Sequence, residues 1–210
     1  MINLPLLLAF VGTASILVVT PGVDTAIVLR AATAGGRWPA AAAAVGIALG
    51  CLLWGGAVSL GLGALLRASE TAYAIVKLVG AAYLVSIGIK LLLKPRTALS
   101  AGAGPQTDRS APADMFWRGF LSNLLNPKVG VFYVTFLPQF VPAGTSVAAY
   151  SFFLACLHVA LTLIWFGILI SAMVPLSKFL RRPSAMRKLD KMTGGIFIAF
   201  GIKLAASSSH

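Results

Sequence analysis

Two short polar motifs interrupt segments that are otherwise apolar, and their residues are of types that bind small ions. The first motif is Thr20-Pro21-Gly22-Val23-Asp24, and the second is Asn126-Pro127-Lys128. Thr and Asn are good N-cap residues and proline favours the first helical turn, so each motif predicts the start of a new half-helix. Helix starts carry free N–H groups and a partial positive charge. Two starts that face each other would form an anion site suited to a carboxylate.

Asp24 is the one acid that the sequence places well inside an apolar segment. A lone carboxylate at membrane depth is a functional candidate, since it could bind a substrate ammonium, carry a coupling proton, or do both. Alternatively, Asp24 caps the second half-helix or pairs with Lys128 to hold the fold. The other acids fall in predicted loops or at helix ends: Glu70, Asp108, Asp114 and Asp190.

Lys128 and His158 are the other ionisable side chains predicted at depth. Lys128 could attract a substrate carboxylate or neutralise Asp24, and the alternative is that it snorkels toward the cytoplasmic interface. His158 could relay protons, and the alternative is a hydrogen bond between helices. We predict a substrate site formed by residues of both motifs and one nearby asparagine: Thr20, Pro21, Gly22, Asp24, Asn123, Asn126, Pro127 and Lys128.

No set of side chains in the sequence predicts catalysis. There is no nucleophile–His–acid set, no zinc-ligand spacing and no phosphate-binding loop, so we predict no enzyme activity, no cofactor and no metal site. Cys51 and Cys156 lie in apolar stretches, at nearly the same separation as the two proline motifs. A membrane thiol–disulfide electron carrier is therefore an alternative function, although a buried cysteine more often packs as a small hydrophobe.

The elements that carry these motifs belong to a membrane protein. Of 210 residues, 59% are hydrophobic and only 10% are charged, with a mean hydropathy of +0.92. A soluble domain is usually about 25% charged. We expect one integral domain of the plasma (inner) membrane over residues 1–210, built from helices only. The segment Met1–Ala14 lacks a basic region and a clear cleavage site, so we expect it to begin the first span rather than a removable signal.

Six segments contain roughly the 20 mostly apolar residues that a spanning helix needs. The first and fourth contain the two breaks, and the sixth is the shortest. Their predicted limits are Leu4 to Leu29, Pro39 to Leu66, Thr71 to Leu93, Phe116 to Phe140, Val147 to Leu176 and Lys191 to Ala206.

The two halves of the chain resemble each other. Besides the two breaks, Gly88-Ile89-Lys90-Leu91 recurs as Gly201-Ile202-Lys203-Leu204. We predict repeat 1 over about 1–93, a cytoplasmic linker over about 94–114 and repeat 2 over about 115–206. Because each repeat has three spans, the second must enter the membrane from the opposite side. Such inverted repeats are typical of secondary transporters.

The basic residues predict the orientation. Thirteen of the 17 lie on one side of a six-span arrangement and three on the other, with Lys128 inside the membrane. Cytoplasmic loops carry the excess of Lys and Arg, so both termini should face outside. The net charge of +12 then reflects topology and anionic lipid headgroups at the cytoplasmic face rather than nucleic acid. The larger group comprises Arg30, Arg37, Lys90, Lys94, Arg96, Arg109, Arg118, Lys178, Arg181, Arg182, Arg187, Lys188 and Lys191.

Nearly the whole chain resembles the lysine exporter (LysE/RhtB) family of amino acid efflux proteins. The resemblance rests on Thr20–Thr25, on Gly35-Gly36-Arg37, on the central Gly119-Phe120-Leu121-Ser122-Asn123-Leu124-Leu125-Asn126-Pro127-Lys128, and on Phe136-Leu137-Pro138-Gln139-Phe140. The family usually has proline where this chain has Val23. The resemblance implies export of an amino acid or close derivative by proton antiport.

The charged residues predicted at the site indicate the substrate class. One buried acid and one buried lysine favour a zwitterionic substrate of the homoserine, threonine or leucine type, because a dibasic one would need a second carboxylate. Export of another small metabolite or cation is the alternative within the superfamily. The sequence leaves open the coupling stoichiometry and whether copies of the chain form a homo-oligomer.

Overall fold

The computed structural model describes residues 3–95, 111–172 and 182–206. Most of these residues are helical and none forms a strand, as the sequence predicts. A π-helical turn over Phe132–Phe136 and a 3-10 turn over Leu137–Phe140 follow α6 directly. The α-helices are α1 Leu4–Val19, α2 Val23–Ala34, α3 Arg37–Ala68, α4 Glu70–Leu93, α5 Pro112–Leu124, α6 Pro127–Val131, α7 Val147–Ser171 and α8 Pro183–Ala206.

The first predicted break separates α1 from α2, whose axes differ by 53°. The new helix starts later than predicted. Thr20 is the C-cap of α1, and its hydroxyl donates back to the Ile16 carbonyl at 2.7 Å. Gly22, with extended backbone, is the N-cap of α2. Thr20 ends α1 instead of starting α2 because a threonine hydroxyl readily donates a hydrogen bond to a carbonyl of the preceding helical turn.

The described residues contain two straight helices long and apolar enough to cross a membrane, at 37–61 and 147–171. The bent pair of α1 and α2 provides a third candidate, and 78–93 is a shorter apolar helix. Helix length and hydropathy therefore support three of the six predicted spans. The sixth segment also needs a correction, because α8 begins at Pro183 rather than near Lys191. Proline is favoured in a first helical turn.

Helix α3 lies at the centre, against α2, α5 and α7, while α4 packs on α8. Glycines permit the closest approaches. A Cβ on Gly46 would overlap the Phe116 carbonyl, and one on Gly119 would overlap the Ala43 carbonyl. Large apolar side chains remain exposed on the outer faces of α3 and α7, among them Leu60 and Ile164. This arrangement suits lipid outside and close backbone packing inside.

Candidate functional site

A cavity of about 60 Å³ lies between the two helix breaks. This volume holds several water molecules, by the usual need of roughly 10–15 Å³ for each. Six of the eight predicted site residues line it, whereas Pro21 and Pro127 do not. The six are Thr20, Gly22, Asp24, Asn123, Asn126 and Lys128.

One wall of the cavity consists of hydrogen-bond acceptors. Asn123 is fully buried, and its Nδ2 donates to Asp24 Oδ2 at 2.8 Å. The same nitrogen lies 3.4 Å from Cys51 Sγ. Asp24 Oδ1 and Asn123 Oδ1 are buried and have no hydrogen-bond partner among the described residues. Buried polar atoms are normally paired, so these two oxygens are suited to a donor that enters the cavity.

The same cavity is also lined by two electropositive groups, the start of α2 and Lys128. Gly22 caps α2 without any side-chain hydrogen bond, so the first N–H groups of α2 receive no cap from this residue. Lys128 Nζ lies 4.0 Å from the point where a Cβ on Gly22 would stand. Asp24 lies in this first turn of α2, and the charge of Lys128 also acts on it. The ammonium and the start of α2 therefore converge on one small volume.

The second helix start differs from the prediction that two facing helix starts form one anion site. The Asn126 side chain accepts from Lys128 N at 3.1 Å, and the Asn126 carbonyl accepts from Val129 N and Gly130 N. Pro127 has no N–H to offer. The start of α6 is thus already satisfied by Asn126, whereas Gly22 offers the start of α2 no side-chain cap.

His158 makes the hydrogen bond between elements that the sequence offered as the alternative to proton relay. It lines the cavity from α7, and its Nδ1 lies 2.9 Å from the Tyr133 hydroxyl on the π-helical turn. The hydrogen bond between elements is therefore present, in the wall of the candidate site. Of the two cysteines, Cys51 lines the cavity and Cys156 is exposed on α7.

Several residues of the cavity wall were not predicted from the sequence. Ile47, one turn before Cys51 on α3, belongs to it, as do Thr162 and Phe166, one and two turns after His158 on α7. Positions four apart share a helix face, so Cys51 and His158 were the signals from which these residues could be located.

Asp190 also departs from its prediction. It lies within α8 and is fully buried, not at a helix end, because α8 begins at Pro183. Asp24 is therefore not the only buried acid, although Asp190 does not line the cavity. Three residues later on α8, the Thr193 hydroxyl lies 2.5 Å from that of Thr20.

Comparison with known proteins identifies the family. The LysE type translocator family matches residues 15–208 of this chain. The chain belongs to this family. This LysE type translocator is 29% identical to the threonine efflux protein of Escherichia coli (strain K12) over 192 residues, which are 90% of the chain and 91% of the relative.

Two further relatives are known as membrane proteins. The translocator is 29% identical over 207 residues to the uncharacterized membrane protein YrhP of Bacillus subtilis (strain 168), covering 96% of the chain and 99% of that protein. It is 30% identical over 199 residues to the uncharacterized membrane protein PA4757 of Pseudomonas aeruginosa, covering 91% and 90%. No solved structure matches the chain.

Proposed function

We propose that this translocator exports a zwitterionic amino acid, or a close derivative, across the plasma membrane in exchange for protons. One observation carries the proposal: unpaired acceptors on Asp24 and Asn123, the start of α2 and Lys128 all line one cavity. An α-amino acid offers the complementary pair, an ammonium and a carboxylate. The name of the related threonine efflux protein of Escherichia coli supports the same substrate class.

The rest of the lining favours a neutral side chain. Beyond the two charged residues, the wall contains apolar groups such as Ile47 and Phe166 and the hydroxyl of Thr162. Among the described residues that line it, Asp24 is the only acid. A dibasic substrate would need a second carboxylate, whereas a hydroxylated or small apolar side chain needs none.

We further propose two inverted three-helix repeats, and the α4–α8 packing supports them. A Cβ on Gly88 would lie 2.7 Å from the Gly194 carbonyl oxygen, and one on Gly201 would lie 2.9 Å from that of Ala81. The shift along the chain that carries Gly88 to Gly201 also carries Ala81 to Gly194, so the two contacts are symmetry mates. The helices run antiparallel, as repeats related by a two-fold axis in the membrane plane would.

The proposed transport cycle follows from these positions. The amino acid enters from the cytoplasm, and its carboxylate meets the start of α2 and Lys128. Its ammonium displaces a proton from Asp24 and bonds to the free oxygens of Asp24 and Asn123. The two repeats then rock and open the site outward. After release, an external proton returns to Asp24.

The test is counterflow in proteoliposomes that are loaded with a panel of unlabelled amino acids, for wild type and Asp24→Asn. We expect wild type to exchange one or a few zwitterionic amino acids. Asp24→Asn should abolish uptake driven by a proton gradient, since the amide cannot carry the proton. Asp114→Asn is the matched control, because Asp114 is exposed in the first turn of α5.

The outcomes separate the parts of the proposal. Exchange that survives in Asp24→Asn without proton-driven transport assigns coupling to this carboxyl. Loss of both activities assigns it to substrate binding as well. Absence of counterflow by wild type with every amino acid tested would refute amino acid export.

A further inference from the structure

Helices α3 and α7 cross at a contact between two small residues. A Cβ added to Gly55 would overlap the Ala155 methyl group, and it would lie 3.4 Å from the ring of Tyr133. Gly55 and Ala155 are both buried. The helices are antiparallel neighbours in the proposed topology, so positions before this crossing on α3 oppose positions after it on α7.

On one side of the crossing, the two facing helix surfaces form a wall of the cavity. Cys51 lies one turn before Gly55 on α3, and His158 and Thr162 follow Ala155 on α7; all three line the cavity. On this side of the crossing, the hydrogen bond between Tyr133 and His158 joins the π-helical turn to α7. The cavity therefore ends where Gly55, Ala155 and Tyr133 meet.

On the other side of the crossing, the same two surfaces carry hydroxyl groups. Ser59 lies one turn after Gly55, and Ser151 lies one turn before Ala155, so both belong to the faces that meet. Ser59 is 3% exposed and Ser151 is 0% exposed. We call the surface formed by Gly55, Ser59, Ser151 and Ala155 the α3–α7 seam.

Neither serine has a hydrogen-bond partner within the described residues. This is unusual for a buried helical hydroxyl, which can bond to the carbonyl of the preceding turn. Thr162 does so on the same helix, to the His158 carbonyl at 2.9 Å, and Thr135 does so to the Val131 carbonyl at 2.7 Å. Both serines lie on the helix faces that meet, and buried polar groups are normally paired, so their hydroxyls are suited to a molecule that enters the seam.

We propose that the α3–α7 seam is the outward half of the translocation route, closed at Gly55–Ala155 and lined beyond that point by Ser59 and Ser151. Water and the zwitterionic substrate would pass between the helices when they separate there. Small residues on both helices leave little side-chain volume to displace. The inference rests on the proposed function and on the orientation that places the start of α7 outside.

The test is thiol labelling from outside with a membrane-impermeant, positively charged methanethiosulfonate reagent, on Ser59→Cys and Ser151→Cys. Leu60→Cys and Phe152→Cys are matched controls, since they lie at the same depths but are exposed on the outer faces. Peptide mass spectrometry identifies the labelled residue, so the native cysteines can remain. The thiolate attacks the sulfur of the reagent and displaces methanesulfinate, and this thiolate forms in water and not in lipid.

We expect external labelling of both serine positions about tenfold faster than at the two controls, because only a hydrated route gives the thiolate form. Labelling should also block counterflow. Labelling no faster than in the controls, or from the cytoplasmic side only, would overturn the proposal. Counterflow by the unlabelled variants checks that they fold. If wild type exchanges no amino acid, export is refuted, while the sidedness of labelling still decides the route.

Discussion

At the residue scale, the candidate site is defined by which polar atoms are already satisfied. Asn123 orients Asp24 through one oxygen and leaves the other for a ligand. Asn126 satisfies the second helix start by itself. The sequence alone could predict that Asp24 and Lys128 belong to one site, because each interrupts an apolar run, and both line the cavity. It could not predict which helix start lacks a side-chain cap. That depends on whether the side chain before the proline bonds to the helix that follows, as Asn126 does, or to the helix that precedes it, as Thr20 does.

Gly22 provides a prediction about steric access to the site. Its extended backbone accepts any residue, and an added Cβ meets only Lys128 Nζ, at 4.0 Å. Gly22→Ala should therefore fold normally but place a methyl group where the carboxylate binds. We expect about a tenfold or greater increase in the half-saturation concentration for the substrate, since small misplacements of bound groups are costly.

The matched control for this change is Gly12→Ala on α1, where a Cβ meets nothing within 4 Å. Half-saturation concentrations from counterflow compare the two variants, and thermal melting in detergent confirms that both fold. Equal half-saturation concentrations would mean that the substrate does not approach Gly22.

Lys128 provides a prediction about charge recognition. Lys128→Met should raise the half-saturation concentration for the amino acid by roughly ten- to hundredfold, because a hydrogen bond to a charged group contributes about 1.5–3 kcal/mol. Lys128→Arg keeps the charge and should lose less. The corresponding amino acid amide lacks the carboxylate, so its inhibition of counterflow should differ little between wild type and Lys128→Met. A loss of equal size for acid and amide would show that Lys128 does not contact the carboxylate.

At the element scale, two interruptions of helical structure set the positions of the site residues, and the long helices supply the remaining walls. The sequence predicted the interruptions from proline and glycine. It could not predict how α3 and α7 are rotated, because both are apolar on every side and give little periodic signal. Cys51, Thr162 and Phe166 were therefore assigned to the cavity only by the structure.

The contact between α3 and α7 provides a prediction at this scale. Gly55→Ala introduces a methyl group that overlaps the Ala155 methyl, so the helices must separate. We expect destabilisation of about 1–3 kcal/mol, as is usual for overpacking, and weaker counterflow. The double variant Gly55→Ala/Ala155→Gly moves the methyl group to the other helix and should recover most of the melting temperature in detergent.

Gly56→Ala is the control, since a Cβ on this neighbouring glycine of α3 meets nothing within 4 Å. Gly55→Ala should melt at a lower temperature than Gly56→Ala if this contact determines how closely α3 and α7 pack. Equal melting temperatures, or a double variant that recovers none of the lost melting temperature, would show that it does not.

At the scale of the whole molecule, the internal repeat and the distribution of charge are two independent arguments about how the chain is oriented in the membrane. The paired contacts of Gly88 with Gly194 and of Gly201 with Ala81 favour halves related by an axis in the membrane plane. The distribution of Lys and Arg favours a cytoplasmic position for residues 94–114 and 177–191. Together they require an odd number of spans in each half and both termini on the outer side.

This arrangement is testable with epitope tags at either terminus and, in a third variant, within residues 96–110. We expect antibodies to label both terminal tags on intact spheroplasts and to label the internal tag only after permeabilisation, because basic loops stay in the cytoplasm. A tagged cytosolic protein checks that the spheroplasts are sealed. Termini on opposite sides would mean an odd total of spans and would exclude two inverted repeats of three. Both termini inside would keep the repeats but reverse the route, so that the α3–α7 seam would face the cytoplasm.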